Sequence, residues 1–250
     1  MSTILHWIEE EGFTENATVI VAVPGVGNVG KLVIETLNRI EGTNLIARIL
    51  HPDLPPHSVM HEGLLVPPHL SVHRVPMDSG KDVLTITGNG QPMTPRGQHE
   101  VAETILKLSK DSKAPLVLVL AGLSANPGED QIHLTCSSND VLDSLTNRGV
   151  IVSVEQPSGG MLGLAGLVVS LAPLHEVQSA AYCAETVGLS VDVVTADRLA
   201  NRMSEDFDMG LDLSIDNTSE TAARLLERMD GKEIAGLSIS DDEPDTGFYV

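Results

Sequence analysis

The sequence predicts an α/β fold in which a mixed, mostly parallel sheet is flanked by helices and followed by a C-terminal helical piece and a disordered tail. Three observations predict this class. Short β-branched apolar runs alternate with segments of helical periodicity, many prolines interrupt the middle of the chain, and the last 20 residues are acidic. A segment of that acidic composition buries too little apolar surface to offset its ordering entropy.

A βαβ unit opens the chain. Thr18–Val23 is a β-branched apolar run bounded by turn residues, which indicates a buried strand. Asn28–Ile40 has apolar residues at helical spacing and is closed by Gly42, and Leu45–Leu50 is a second strand. This order predicts that the two strands pair in parallel through a right-handed crossover.

A proline-rich segment follows the βαβ unit. Residues 51–92 contain many prolines and several short apolar runs, with no helical segment between them. We therefore predict antiparallel or mixed strands near 58–66, 70–76 and 82–87, with the prolines at strand edges and turns.

The second half of the chain alternates helices and strands again. The same patterns predict, in order, helix Arg96–Asp111, strand Pro115–Leu120, strand Ile132–Cys136, helix Asn139–Thr146, strand Val150–Val154, a helix at 161–172, a strand at 177–183 and amphipathic helices at 190–203 and 216–229. We divide the chain into an α/β core domain at 1–188, a C-terminal helical extension at 189–230 and a flexible acidic tail at 231–250.

The formal net charge of −20 excludes two classes of partner. Nucleic acid and anionic membrane surfaces would both be repelled by a chain of this charge. The N-terminus has neither a basic segment nor a long apolar run, so we expect no export signal and a cytoplasmic protein. The most apolar stretch, at 161–174, is too short for a transmembrane helix, which needs about 20 residues. Cys136 and Cys183 form no CxxC pattern, and we expect two buried, reduced thiols.

Residues 25–30, GVGNVG, have the GxGxxG spacing of a dinucleotide-binding turn between a predicted strand and a predicted helix. In such a turn Gly25, Gly27 and Gly30 would let a phosphate approach the helix N-terminus. The acidic residue that binds the ribose should end the second strand, but His51 stands there. The pattern therefore favours a tight turn with close helix–strand packing, and a nucleotide-binding site is the alternative.

That alternative is an enzyme of nucleoside-phosphorylase type that uses the Gly25–Gly30 turn for phosphate. It needs an arginine and an acid beside the turn, and Arg48, Arg96 and Glu62 are the candidates. A serine hydrolase is a weaker match. Ser124 follows a buried strand, but Asn126 replaces the second glycine of GxSxG and no helix follows to present the serine.

Two other clusters have simpler explanations than a ligand site. Pairs of histidines four residues apart would offer zinc ligands on a helix, but the prolines exclude a helix and no cysteine or acid completes a tetrahedral set. We expect no metal site, and we place on the surface or on edge strands the histidines of this segment, which are His51, His57, His61, His69 and His73. In SGGMLGLAG, at 158–166, we expect Gly163 and Gly166 to allow close packing rather than to bind an anion.

The last three residues, Phe248, Tyr249 and Val250, do not match the acidic segment before them, in a chain with only 2% aromatic residues. A tail of 20 residues extends up to about 65 Å, which suits a tether that delivers a short peptide to a distant pocket. The triplet offers a ring to bury, a phenol that can hydrogen-bond and a free carboxylate for a lysine.

Several motifs together resemble the proteasome assembly chaperone 2 family, in its archaeal branch. They are VAVPGVGNVGKLVIETL at 21–37, ARILHPDLPPHSVMHEGL at 47–64, LTITGNGQP and GQHEVAETIL within 84–106, LVLAGLSAN at 118–126 and GGMLGLAGLVVSLA at 159–172. The resemblance spans roughly residues 1–229. It implies a nucleoside-phosphorylase-like α/β sandwich that self-associates, as a trimer or tetramer, without a cofactor or a catalytic set.

The resemblance also implies a partner. Archaeal members carry a C-terminal hydrophobic-Tyr-X motif that docks between α subunits of the proteasome core particle, and Phe248, Tyr249 and Val250 match it. We therefore expect a non-enzymatic proteasome-binding protein, an assembly chaperone or activator. Besides the enzyme described above, the other alternative is a purely structural oligomer whose tail has no partner.

Overall fold

The computed structural model describes residues 3–9, 14–61, 63–77, 80, 82–153, 160–207, 209 and 218–226. Its strands, in chain order, are β1 Ile4–Trp7, β2 Thr18–Val21, β3 Asn44–Leu50, β4 Val59–His61, β5 Leu64–Val66, β6 Leu70–Val75, β7 Val83–Gly88, β8 Val117–Ser124, β9 Ile132–Cys136 and β10 Ser179–Thr186.

Eight of these strands form one sheet in the order β1-β3-β6-β7-β2-β8-β10-β9, while β4 and β5 pair with each other as a separate hairpin. The four central strands, β7, β2, β8 and β10, are parallel, so their carboxyl ends lie along one edge of the sheet. Antiparallel pairs complete the sheet on both sides. The predicted α/β class with a mixed sheet is therefore confirmed. The predicted parallel pairing of β2 with β3 is wrong, because β6 and β7 lie between these two strands.

Helices cover both faces of the sheet. They are α1 Val29–Leu37, α2 Pro95–Asp111, α3 Asn139–Asn147, α4 Gly163–Leu171, α5 Val193–Phe207 and a further helical segment at 218–226. One buried apolar cluster joins α1, α3 and α5 to one face, and a second joins α2 and α4 to the opposite face. Because side chains alternate along a strand, β2 contributes Ile20 to the first cluster and Val19 and Val21 to the second. None of the helices in the described ranges is long and apolar enough to cross a bilayer.

The helical extension shares the core of the α/β part. Leu199 and Met203 of α5 are fully buried in the same cluster as α1, and Ala222 of the 218–226 segment belongs to it as well. Arg39, just after α1, donates hydrogen bonds to Glu220 and Thr221. The division of the chain near residue 188 stays a prediction, and the tail from 231 lies outside the described residues.

The described structure also differs from the predicted elements at three places. The strand predicted near 58–66 is a hairpin, because Gly63 adopts a φ of 79° that turns the chain between β4 and β5. The strand predicted at Val150–Val154 is wrong over its described residues. Ser153 donates a backbone hydrogen bond to Leu134 of β9, but the residues before it are not in a ladder. Strand β1 was not predicted; it is an edge strand of four residues.

Candidate functional site

The candidate site lies at the carboxyl edge of the sheet, where β2 passes into α1. Gly25 is extended, while Gly27 and Asn28 adopt left-handed φ angles of 63° and 48°. The Asn28 amide donates a hydrogen bond of 2.9 Å to the Gly25 carbonyl, which closes a tight 3₁₀ turn over Val26–Asn28. Helix α1 starts immediately afterwards. Glycine is needed at position 27, because its left-handed backbone strains most other residues.

The turn and α1 pack closely against the backbone of β8. A Cβ atom at Gly30 would overlap the carbonyl oxygen of Leu120, and one at Gly122 would overlap that of Val26. A Cβ atom at Gly27 would lie 3.0 Å from the Thr186 hydroxyl at the end of β10. These are the tight turn and the helix–strand packing that the sequence pattern favours for this motif.

The start of α5 fills the space beside the turn. The Asp192 amide donates a hydrogen bond of 2.9 Å to the Gly27 carbonyl. The Asp192 carboxylate accepts hydrogen bonds from the Thr186 hydroxyl at 2.6 Å and from the Thr195 amide at 3.0 Å, so it is the N-cap of α5. Burial by itself raises the pKa of Asp192, but these hydrogen bonds outweigh it and hold the pKa below its ordinary value. A phosphate entering the turn would therefore meet a buried negative charge.

Asp192 was not singled out from the sequence. Its local signal is the spacing Asp192-Val-Val-Thr195 before a helical pattern, which is typical of an N-cap. Its contact with the Gly27 turn depends on the tertiary fold, because the two segments are far apart in the chain.

Lys31 is the basic residue of α1 nearest the turn, and it points to the neighbouring strand. Its ammonium donates to the Gly88 carbonyl at 2.9 Å and to the Asn89 side chain at 3.2 Å, and it lies 2.7 Å from Glu35. The side chain is only 5% exposed. These contacts hold the ammonium at the end of β7, where it anchors α1 to the sheet.

The two described arginines that the enzyme alternative could use, Arg48 and Arg96, lie on other elements than the turn. Arg48 lies on β3, and β6 and β7 separate that strand from β2. Arg96 starts α2, is 82% exposed and donates to Glu100 at 2.8 Å. Glu62 lies outside the described residues.

The histidine cluster is dispersed, and His51 corrects the predicted surface placement. His51 is buried after β3, where its Nδ1 accepts the Asp53 amide at 3.1 Å and its Nε2 lies 3.0 Å from Glu100. Because Nδ1 accepts, the proton is on Nε2 and is donated to the carboxylate. Hydrogen bonds from Arg96 and His51 hold the pKa of Glu100 below its ordinary value. Both nitrogens of His51 are thus engaged in structural contacts.

Among the described residues, the other histidines of the segment are not part of a metal site. His73 lies on β6, an interior strand, which also differs from the predicted edge or surface position. His57 and His69 are partly buried, and the side chain of His61 is outside the described set. Within the described ranges no three metal-ligating side chains come together.

Comparison with known proteins assigns the fold to a family. The profile of the PAC2 family matches residues 19–231. The chain belongs to the PAC2 family. An uncharacterized protein from Methanocaldococcus jannaschii is 25% identical over 181 residues, which cover 71% of this chain and 69% of that protein.

Solved structures share the PAC2 fold over almost the whole chain. Pyrococcus furiosus PbaB, an archaeal proteasome activator, superposes with a TM-score of 0.75 at 20% identity, covering 93% of this chain and 99% of that one. PbaA from the same organism, an archaeal homolog of proteasome-assembly chaperone, has a TM-score of 0.72 at 22% identity, with 94% and 99% covered. A Mycobacterium tuberculosis proteasome-assembly chaperone homologue has a TM-score of 0.64 at 16% identity, with 90% and 97% covered.

Two other motifs of the sequence, the Ser124 turn and the glycine-rich start of α4, make contacts within the fold. Ser124 is the exposed last residue of β8, and a turn follows in which the Asn126 amide donates to Glu129 at 2.8 Å. At the start of α4, the Leu164 amide donates to the Gln91 side chain at 3.2 Å, and a Cβ atom at Gly166 would overlap the Met161 carbonyl. A helix N-terminus satisfied by Gln91 has less capacity for an anion.

Cys136 and Cys183 are both free thiols, but each is only partly buried, which corrects the predicted full burial. Cys136 ends β9, the edge strand of the sheet. Burial still raises the pKa of the Cys183 thiol to about 11, so it is protonated at neutral pH.

The predicted partner-binding residues of this PAC2 chain, Phe248, Tyr249 and Val250, lie outside the described residues. The described chain ends with the helical segment at 218–226, which packs on α1. Leu225 of that segment is buried. Residue 226 is the last described residue, and residues 227–250 follow it in the sequence.

Proposed function

We propose that this PAC2 chain is a cytoplasmic, non-enzymatic and homo-oligomeric protein that binds the proteasome core particle, as an assembly chaperone or activator. In this proposal Phe248, Tyr249 and Val250 dock into pockets between α subunits. The observation that carries it is the C-terminal Phe-Tyr-Val behind a PAC2 domain, in a chain with 2% aromatic residues. The shared fold with PbaB, an archaeal proteasome activator, supports the same partner.

The chemistry of the triplet suits a pocket between subunits. The Phe248 ring is buried in the pocket, the Tyr249 hydroxyl accepts or donates a hydrogen bond there, and the Val250 carboxylate pairs with a lysine. Two buried rings contribute several kcal/mol at about 25 cal/mol per Å², before the ordering of the tail is subtracted. Several tails on one oligomer raise the effective concentration of each triplet at a ring of repeated pockets.

The position of the 218–226 segment is consistent with a tether. Arg39 holds the segment to the end of α1 through Glu220 at 2.6 Å and Thr221 at 2.8 Å. The predicted tail that follows, residues 231–250, spans up to about 65 Å at full extension. The triplet can therefore reach a pocket well away from the body of the chain.

The geometry of the glycine turn supports a non-enzymatic role. The turn is packed against β8, the nearby Lys31 is engaged at the end of β7, and Asp192 places a carboxylate beside the turn. A phosphate-binding turn instead offers free amides and positive charge.

Affinity capture of purified core particles from the source organism tests the proposal. We expect the full chain to capture core particles. A chain lacking residues 248–250 should capture at least ten-fold less. Thr246→Ala, in the same tail but outside the triplet, is the matched control and should capture normally. Two residues added after Val250 should abolish capture, because they move the carboxylate away from the lysine. Equal capture by the full and shortened chains would contradict the docking model.

A further inference from the structure

The β4–β5 hairpin carries a group of exposed apolar side chains. It follows β3 in the chain, precedes β6 and is not hydrogen-bonded into the main sheet. Three of its large apolar side chains are exposed: Met60 by 64%, Leu64 by 70% and Leu65 by 71%. Exposed apolar side chains that lie together in a folded protein typically mark an interaction surface.

The pairing of the hairpin places its apolar side chains on defined faces. Met60 pairs directly with Leu65 across the two strands, so their side chains lie on one face of the hairpin. Val59 pairs with Val66, and both are half-buried on the opposite face. Leu64 also lies on that second face and is exposed near the turn, so Met60 and Leu65 are the directly paired apolar side chains that face solvent.

The chain on both sides of the hairpin is held in place. Before it, Leu54 is buried and the Pro55 ring lies against Gly90. After it, the His69 ring nitrogen donates to the Pro67 carbonyl at 2.7 Å. Prolines at both ends reduce the conformations open to these connections. The connections to the hairpin are therefore fixed before any partner binds, so binding through the hairpin loses little conformational entropy.

The low number of charged residues around the hairpin indicates which kind of partner binds it. From Leu54 to Pro76 the sequence has one acid, Glu62, and one base, Arg74, in a chain whose net charge is −20. Two copies of so acidic a chain repel each other over most of their surface. They can approach closely where acids are few, and the hairpin region, with Glu62 as its one acid, is such a place. A basic partner would instead gain more from the acidic surface elsewhere.

We propose that the Met60–Leu65 face of the β4–β5 hairpin is the contact through which two copies of this chain associate. In a two-fold arrangement each Met60 and Leu65 packs against the same residues of the other copy, and a free hairpin edge can pair with its equivalent. This inference rests on the oligomeric part of the proposed function, since it supplies the contact that brings several tails together.

Mass measurement by light scattering, without any core particles present, tests the contact. We expect the wild-type chain to have the mass of an oligomer, and the double variant Met60→Asp with Leu65→Asp to dissociate at least ten-fold more readily. Leu174→Asp, at a residue 79% exposed elsewhere, is the matched control and should keep the wild-type mass. A wild-type mass of one chain, or an unchanged mass in the double variant, would overturn the proposal.

A crosslinking experiment provides a second test that does not depend on the stability of the aspartate variants. With Cys136→Ser and Cys183→Ser as background, Leu65→Cys should give a disulfide-linked dimer under mild oxidation, and Leu174→Cys should not. Equal or absent crosslinking at the two positions would contradict the contact. The chain lacking residues 248–250 should keep the wild-type oligomeric mass. A failure of tail docking would therefore change the capture of core particles and leave the oligomeric mass unchanged.

Discussion

Asp192 and Gly27 are joined by a backbone hydrogen bond of 2.9 Å, which ties the first turn of α5 to the turn between β2 and α1. The same aspartate caps α5 through the Thr195 amide and accepts the Thr186 hydroxyl at the end of β10. One buried residue therefore connects the helical extension, the glycine turn and the central sheet through its backbone amide and its carboxylate. The GVGNVG motif is part of the framework of the fold.

Replacing Asp192 by alanine should lower the free energy of unfolding by about 2 kcal/mol at pH 7, because α5 loses its N-cap and buried hydroxyls lose their acceptor. The pKa of Asp192 is held below its ordinary value in the folded protein. Its contribution is therefore present at neutral pH and lost as the pH falls through the folded-state pKa. Urea unfolding of the wild type and the variant between pH 7 and pH 3 measures this difference.

Asp197, which is partly buried in the first turns of the same helix, is the matched control. Burial raises the pKa of Asp197, so its charge is unfavourable in the folded state at neutral pH. Asp197→Ala should be neutral or slightly stabilising at pH 7, and any gain should vanish at low pH. Similar losses from the two substitutions would show that Asp192 acts only as one more charge of α5.

Replacing Gly30 by alanine should lower the free energy of unfolding by about 2 kcal/mol or more. The added methyl group would overlap the Leu120 carbonyl, and backbone in a central strand cannot move aside as a flexible side chain can. This overlap outweighs the gain of about 1 kcal/mol that alanine gives over glycine in a helix. Urea unfolding midpoints, with an unchanged dependence on urea, give the measurement.

Gly25→Ala in the same motif provides the comparison. Gly25 has an extended backbone with a φ of −164°, and the nearest atom to a Cβ there, the Val23 carbonyl oxygen, lies at 3.9 Å. We expect a change within about 0.5 kcal/mol. If both alanines have the same effect, close packing against β8 does not explain the glycine at position 30.

Local signals predicted much of the fold because several elements combine a strong pattern with clear boundaries. The β2–α1–β3 unit was predicted from a β-branched run, a glycine turn and apolar residues at helical spacing, and these are properties of neighbouring residues. Strand β1 was missed because half of its four residues face solvent, which leaves a weak alternation. The 150–154 prediction followed β-branched composition, although the described residues there lack a strand partner beyond one hydrogen bond.

Less of the candidate site than of the fold could be predicted from the sequence. The glycine turn was identified, together with its packing role, because spacing alone indicates a tight turn. The residues that fill the space beside it, Thr186 and Asp192, come from β10 and the start of α5. Their proximity depends on strand order, which places β10 two positions from β2 across β8. A local pattern carries no information about that neighbour.

His73 should make the folded protein less stable in mild acid. Burial, with a smaller effect from nearby His69, lowers the pKa of His73 from 6.5 to about 4. The unfolded chain therefore takes up a proton below pH 6.5 that the folded chain refuses until about pH 4. A difference of this size corresponds to a loss of roughly 3 kcal/mol across that interval.

His73→Gln should remove this part of the acid sensitivity, because glutamine does not titrate and can still accept the hydrogen bond from the Asn38 side chain. Urea unfolding at pH 7 and pH 4.5 measures it, and the histidine resonance lost in the variant identifies His73 in an NMR titration. Ser71→Ala, two residues earlier on β6, keeps the histidine and should retain the wild-type pH dependence. A His73 resonance that titrates near pH 6.5 would show that the ring is not desolvated between α1 and the sheet.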